Sequence, residues 1–233
     1  MGNGILQRSK FYLYKEYEYL RQRLYKLSTL RTDIALTCMG INFKFAPLPY
    51  PMKKADLKVL KYPIGELKIP KKISDKDIES AIKTIEGFPA KALKEVGKLS
   101  DDTLEYRHRP GGWTIRQLVH HCADSHLNAY IRTKLAYTEK NPTVKPYDES
   151  AWANTGDAGE APVEWSLLLL EGLHKRWAAL LSELNDEDLE RTFYHPEQKK
   201  KVKLNQVIVI YAWHCNHHLA HIQQAKKHKN KFS

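Results

Sequence analysis

Leu204-Asn-Gln-Val-Ile-Val-Ile-Tyr-Ala-Trp-His-Cys-Asn-His-His-Leu-Ala-His-Ile-Gln-Gln-Ala-Lys-Lys227 contains no Pro or Gly and repeats apolar residues every three or four positions, which predicts one long helix. Residues four apart on a helix project from the same face, one turn above each other. His214 with His218, and His217 with His221, are therefore imidazole pairs. A zinc-like site needs three protein ligands and an open position, so one pair is not enough. A second His-rich stretch, His120-His-Cys-Ala-Asp-Ser-His126, offers the third.

Working outward from that helix, three more long helical segments precede it. Ser74 can cap the first, with Ile78, Ile82, Ile85, Leu93 and Val96 as its apolar stripe and Gly87 and Pro89 as expected kink points. Thr114-x-x-Gln117 is a capping box that opens the second, after the Gly111-Gly112 turn, and it runs to about Tyr137. The third starts near Pro162 and continues through Leu167, Leu170, His174, Trp177, Leu181 and Leu184. Residues 139–161 form a long polar connection between the second and third. Thr192–Pro196 and Lys200–Leu204 are expected to form a small β-hairpin before the last helix. The fold class expected is all-α: a four-helix bundle, an architecture that holds metals on facing helices.

Residues 1–60 read as a basic leader and Pro-rich linker, and residues 61–233 as the bundle. Within the leader, Leu13, Tyr17, Leu20, Leu24 and Leu27 recur at helical spacing, and Pro47-Leu-Pro-Tyr-Pro51 breaks regular structure. Met52 stands immediately beyond, and one expectation is that it is the natural start, the leader being an upstream extension. The formal charge of +11 is uneven: residues 1–61 hold 12 Lys/Arg against 4 Asp/Glu, and residues 62–233 hold 26 against 23. The domain carrying the histidines is thus nearly balanced, which argues against a nucleic-acid partner. No signal-peptide pattern or membrane-length apolar run is present, so no membrane partner and a cytoplasmic location are expected. Cys38, Cys122 and Cys215 are too scattered for a disulfide framework, which fits a reducing compartment.

Ligand choice follows from which face each histidine occupies. Val207, Ile210 and Tyr211 lead by three or four to His214 and then to His218, so this pair continues the apolar stripe. His217 and His221 lie further round, and on the second helix Leu118 leads to His121 while His120 faces sideways. Spacing therefore favours His121, His214 and His218 over the other triplets. Asp124, three residues after His121, is a candidate to orient a ligand or shuttle a proton, and reads equally well as a surface carboxylate. Arg132 is a candidate contact for an anionic substrate, and His195 reads as structural.

Tyr62-Pro-Ile-Gly65, Arg109-Pro-Gly-Gly-Trp-Thr-Ile-Arg-Gln117, His120 to His126, Lys145-Pro-Tyr-Asp-Glu149, Phe193-Tyr-His-Pro196 and Tyr211-Ala-Trp-His214 resemble, in order, motifs of the YfiT branch of the DinB-like metalloproteins. The resemblance spans about residues 60–225 and leaves out the leader. It implies a DinB-type bundle of unusual connectivity, a homodimer, and one divalent metal on His121, His214 and His218. Zinc is the expected ion, with nickel or manganese able to substitute. It also implies a metal-dependent hydrolase acting on a small molecule, or a transferase that conjugates a low-molecular-weight thiol to electrophiles. A metal-binding stress protein is a third, non-catalytic reading. No Glu follows His214, so the zincin base is missing, which argues against a protease.

A chain shortened to begin at Met52 should keep a single cooperative thermal transition, because the linker separates the leader from the bundle core. Loss of that transition on truncation would place the boundary elsewhere.

Overall fold

The computed structural model describes residues 53–232. The Leu6–Leu27 periodicity, the Pro47–Pro51 linker and Met52 lie outside the described residues. The elements run α1 (Lys54–Lys61), α2 (Asp75–Val96), α3 (Asp101–Leu104), α4 (Ile115–Thr138), α5 (Glu149–Trp152), α6 (Gly156–Glu160), α7 (Val163–Ser182), α8 (Asp186–Leu189), β1 (Thr192–His195), β2 (Lys200–Lys203) and α9 (Leu204–His228). A short 3-10 turn, Lys229–Phe232, follows.

Local chemistry sets where the long helices begin. Ser74 and Asp77 form a reciprocal capping box at α2, and Thr114 and Gln117 form another at α4. Pro162 stands at the N-cap of α7. The buried stripe of α2 is Ile78, Ala81, Ile85, Phe88, Ala92 and Val96. Leu93, read from the sequence as part of that stripe, is 55% exposed. The core instead takes the residues three and four apart that fall on one line, and two of those are small alanines.

Helix α2 packs on α7 and α9, and α4 packs on the same two. Successive long helices α2 and α4 are thus diagonal across the bundle. Trp177 of α7 fills the centre, fully buried, and donates its indole N–H to Thr133 Oγ1 at 3.2 Å. Arg116, in the first turn of α4, binds Glu105 and Asp101 at 2.8 Å each and the Ala161 carbonyl at 3.0 Å. Gln117 reaches the Ala153 carbonyl. The N-terminus of α4 therefore holds the connection against the bundle. The hairpin pairs Phe193 with Val202 in an antiparallel register, and Val144 and Tyr194 tie the connection to it by backbone bonds.

Helix α1 falls in the stretch read as leader, yet its last turn is bound to α9. His221 donates to the Lys61 carbonyl at 3.2 Å and Gln224 to the Leu60 carbonyl at 2.9 Å. Among the described residues, no helix is long and apolar enough to cross a membrane.

His174 is wholly buried on α7, and burial pushes its pKa down to about 4, partly opposed by a hydrogen bond to the Ile85 carbonyl. The unfolded chain titrates this ring near about 6.5. Above that value neither state is protonated; below it the unfolded state takes the proton first, so stability is lost as pH falls toward 4. Between about pH 6.5 and about pH 5 His174 alone should cost about 2 kcal/mol. Calorimetry in chelator should show Tm falling by several degrees over that interval and His174→Gln flattening the slope. An unchanged Tm would contradict this.

Candidate metal centre

The centre is built where α4 and α9 face each other. His214 and His218 are one turn apart on α9, their rings 4.3 Å between centroids and their Nε2 atoms 3.1 Å apart. His121 of α4 lies 5.5 Å from the His214 ring and 4.8 Å from the His218 ring. One nitrogen from each of the three falls within 4.8 Å of the others.

The donor set suits a small divalent cation. Two ligands of a tetrahedral zinc stand roughly 3.3 Å apart when each bond is roughly 2.0–2.1 Å, close to the Nε2 separation found here. Burial holds all three pKa values down, His121 to about 4 and the other two well below the ordinary imidazole value. The rings are therefore neutral and can each offer a lone pair. His218 Nδ1 is buried without a partner.

A cavity of about 310 Å³ opens over the three nitrogens, walled by Trp113, Arg109, Tyr62, Trp213 and Glu149 among others. Trp113 lies 4.6 Å from the His121 ring. Gly111, at φ +63°, turns the chain before Trp113, and a Cβ on Gly112 would come within 2.6 Å of His108. Glycine at 112 thus lets His108 pack into the wall. His108 donates Nδ1–H to the Trp113 carbonyl, as His221 donates to Lys61.

The remaining histidines sort by their partners. His120 points away from the cavity, donating to the Ala161 carbonyl and accepting from Ser166. His217 lines the cavity but stacks flat on Trp213, centroids 4.3 Å apart. His195 accepts the Gln198 N–H within the hairpin turn. Cys122 and Cys215 are buried and their thiols are pushed to higher pKa by that burial, so neither presents a thiolate.

Two candidates from the sequence do not line this cavity. Asp124 is not in the cavity wall; burial and the neighbouring Asp157 raise its pKa to about 6. Arg132 donates to the Lys145 carbonyl and lies over the Tyr147 ring, also outside the wall. Two residues the spacing did not single out do face the cavity. Arg109 is half-buried with its Nε unpartnered. Glu149 keeps solvent access, but partial burial raises its carboxyl pKa, with Arg132 opposing the shift. Both sit in motifs quoted above; Arg109 lies in a loop and Glu149 at the start of a four-residue helix, where spacing does not give a direction.

Residues 84–222 match the family model of the DinB superfamily. This chain belongs to the DinB superfamily. A Bacillus cereus protein named "Putative metal-dependent hydrolase" is 49% identical over 171 residues, covering 73% of this chain and 98% of its own length. An Oceanobacillus iheyensis protein of the same description is 49% identical over 170 residues, with the same coverage of each chain. YfiT from Bacillus subtilis, described as a probable metal-dependent hydrolase with an unusual four-helix bundle topology, superposes with a TM-score of 0.71 at 45% identity. That superposition covers 72% of this chain and 97% of YfiT.

Purified protein should carry about one divalent ion per chain, and His121→Ala, His214→Ala or His218→Ala should each remove it. His120→Ala should retain full metal. Elemental analysis of the four variants checks this, and a metal-replete His218→Ala protein would overturn the ligand set.

Proposed function

We propose that the protein is a metal-dependent hydrolase with the ion held by His121, His214 and His218. The carrying observation is three neutral imidazoles converging beneath a cavity that also receives one carboxylate and one guanidinium. A divalent cation on that neutral set would supply Lewis acidity at an open coordination position. Zinc is the ion proposed, with nickel or manganese as substitutes.

Glu149 is the proposed proton acceptor. It stands on the first turn of α5, facing the cavity, where a zincin would place its base on the metal-binding helix itself. Its raised pKa brings it nearer the operating range of a general base. Arg109, charged and lacking a partner at Nε, is proposed to receive an anionic group on the substrate. The walls of Trp113, Trp213 and Tyr62 supply apolar surface for the rest of a small molecule. We place the enzyme in the cytoplasm and as a homodimer; the exposed Trp165, Leu168 and Leu169 on α7 support a covered face.

Thiol transfer is the second reading, favoured by the occupant of the position after His214. That residue is Cys215, buried and protonated, so the helix offers neither a carboxylate nor a usable thiolate. Any thiol nucleophile would have to enter through the cavity as a small molecule.

Zinc-loaded protein should hydrolyse anionic esters or amides without added thiol. Glu149→Gln should keep its metal and lose about 10²–10⁴-fold in kcat. Arg109→Ala should raise KM for anionic substrates by about 10–100-fold and leave kcat nearly intact. Turnover only in the presence of a low-molecular-weight thiol would replace hydrolysis by the transferase reading.

A further inference from the structure

Beneath the metal centre, the buried rings of His174 and His126 and the half-buried His214 are joined nitrogen to nitrogen. His174 Nδ1 lies 2.5 Å from the Ile85 carbonyl oxygen, His174 Nε2 lies 2.7 Å from His126 Nδ1, and His126 Nε2 lies 2.9 Å from His214 Nδ1. The chain passes from α2 to α7 to α4 to α9, each step between helices in contact. Its walls are Phe88, Trp177 and Tyr211. Among the described residues, no carboxylate hydrogen-bonds any of the three rings.

The direction of every hydrogen bond in this chain is set from one end. Pro89 has no N–H, so the Ile85 carbonyl lacks the donor that a helix would provide four residues on. A carbonyl only accepts, hence His174 Nδ1 carries the proton. In a neutral ring the other nitrogen is then bare, so His126 Nδ1 must donate to it. By the same step His126 Nε2 is bare and His214 Nδ1 donates. His214 is left with a lone pair on Nε2, the atom 3.1 Å from His218 Nε2. A second proton on any inner ring would set one N–H against another.

We propose that His126 and His174 are positioning residues: their bonds, anchored on the Ile85 carbonyl, lock His214 with its proton on Nδ1 and its Nε2 lone pair toward the metal. Outer partners of this kind fix the tautomer and ring angle of a ligating imidazole and carry about 10–100-fold in metal affinity. Here the outer partners are imidazoles and a proline-freed backbone carbonyl instead of a carboxylate. The proposal rests on His214 being a ligand, but ring protonation can be read without any metal.

Long-range ¹H–¹⁵N spectra of ¹⁵N-histidine-labelled, metal-free full-length protein should show Nδ1–H tautomers for His174, His126 and His214. An Nε2–H tautomer at any of the three overturns the proposal. His126→Phe should weaken zinc binding by about 10–100-fold in a chelator competition and shift His214 away from a pure Nδ1–H state. His126→Gln, whose amide oxygen can accept from His214 and whose NH₂ can donate to His174, should restore both. Wild-type affinity in a folded His126→Phe protein also overturns the proposal. If that variant does not fold, the wild-type tautomers decide. Failure of wild-type protein to bind zinc would sink the metal reading and leave the tautomer result to stand or fall separately.

Discussion

A neutral imidazole has one donor and one acceptor, and burial makes each one left without a partner costly. That constraint organises the centre of this bundle. His120, His126 and His174 meet it with protein partners on both nitrogens. His108 and His221 spend their N–H on a backbone carbonyl, and the bare Nδ1 of His221 is buried without a partner. His214 and His218 are left with Nε2 atoms facing each other across 3.1 Å, an arrangement that a shared cation resolves. The same burial that strips protons from these rings leaves them lone pairs that a cation can take, and the cost of desolvating them falls on the acid side of the stability curve.

The fold serves that constraint by its connectivity. Because α2 and α4 are diagonal, α7 and α9 each touch both. A side chain on α4 can therefore bond to α7 on one flank and α9 on the other, as His126 does. The loop before α4 and the connection after it then close over the free side of the triad with Trp113, Arg109 and Glu149. The candidate metal ligands come from long helices, while Arg109 and Glu149, proposed to meet substrate, come from the loop before α4 and the first turn of the short helix α5.

Much of this was legible in the sequence. Capping signals at Ser74 and Thr114, the hairpin, and the ends of α9 depend on neighbours a few residues away, and they appear where the spacing puts them. The convergence of His121, His214 and His218 was also legible, since two are one turn apart and the third follows an apolar stripe. What the sequence hid depends on partners far along the chain. His126 meets His174 across 48 positions and His214 across 88. Pro89 reads as a kink, although its consequence is a free carbonyl at Ile85. The stripe of α2 was misread at Leu93 because hydrophobicity outweighed Ala92, the smaller residue that faces the core. Arg109 sits in a loop and Glu149 opens the four-residue helix α5, and neither offers enough periodicity to tell which way a side chain points. The short helices in the connection were missed, though Asp148, which caps α5 through the Ala151 N–H, was a local signal for one of them.

The central claim is a neutral three-histidine metal centre with an open position. Zinc K-edge X-ray absorption on the full-length, zinc-loaded protein reads it directly. Three imidazole nitrogens at roughly 2.0–2.1 Å with one further light-atom ligand and no sulfur is the expected shell. A sulfur scatterer at roughly 2.3 Å, or fewer than three imidazoles, would contradict it.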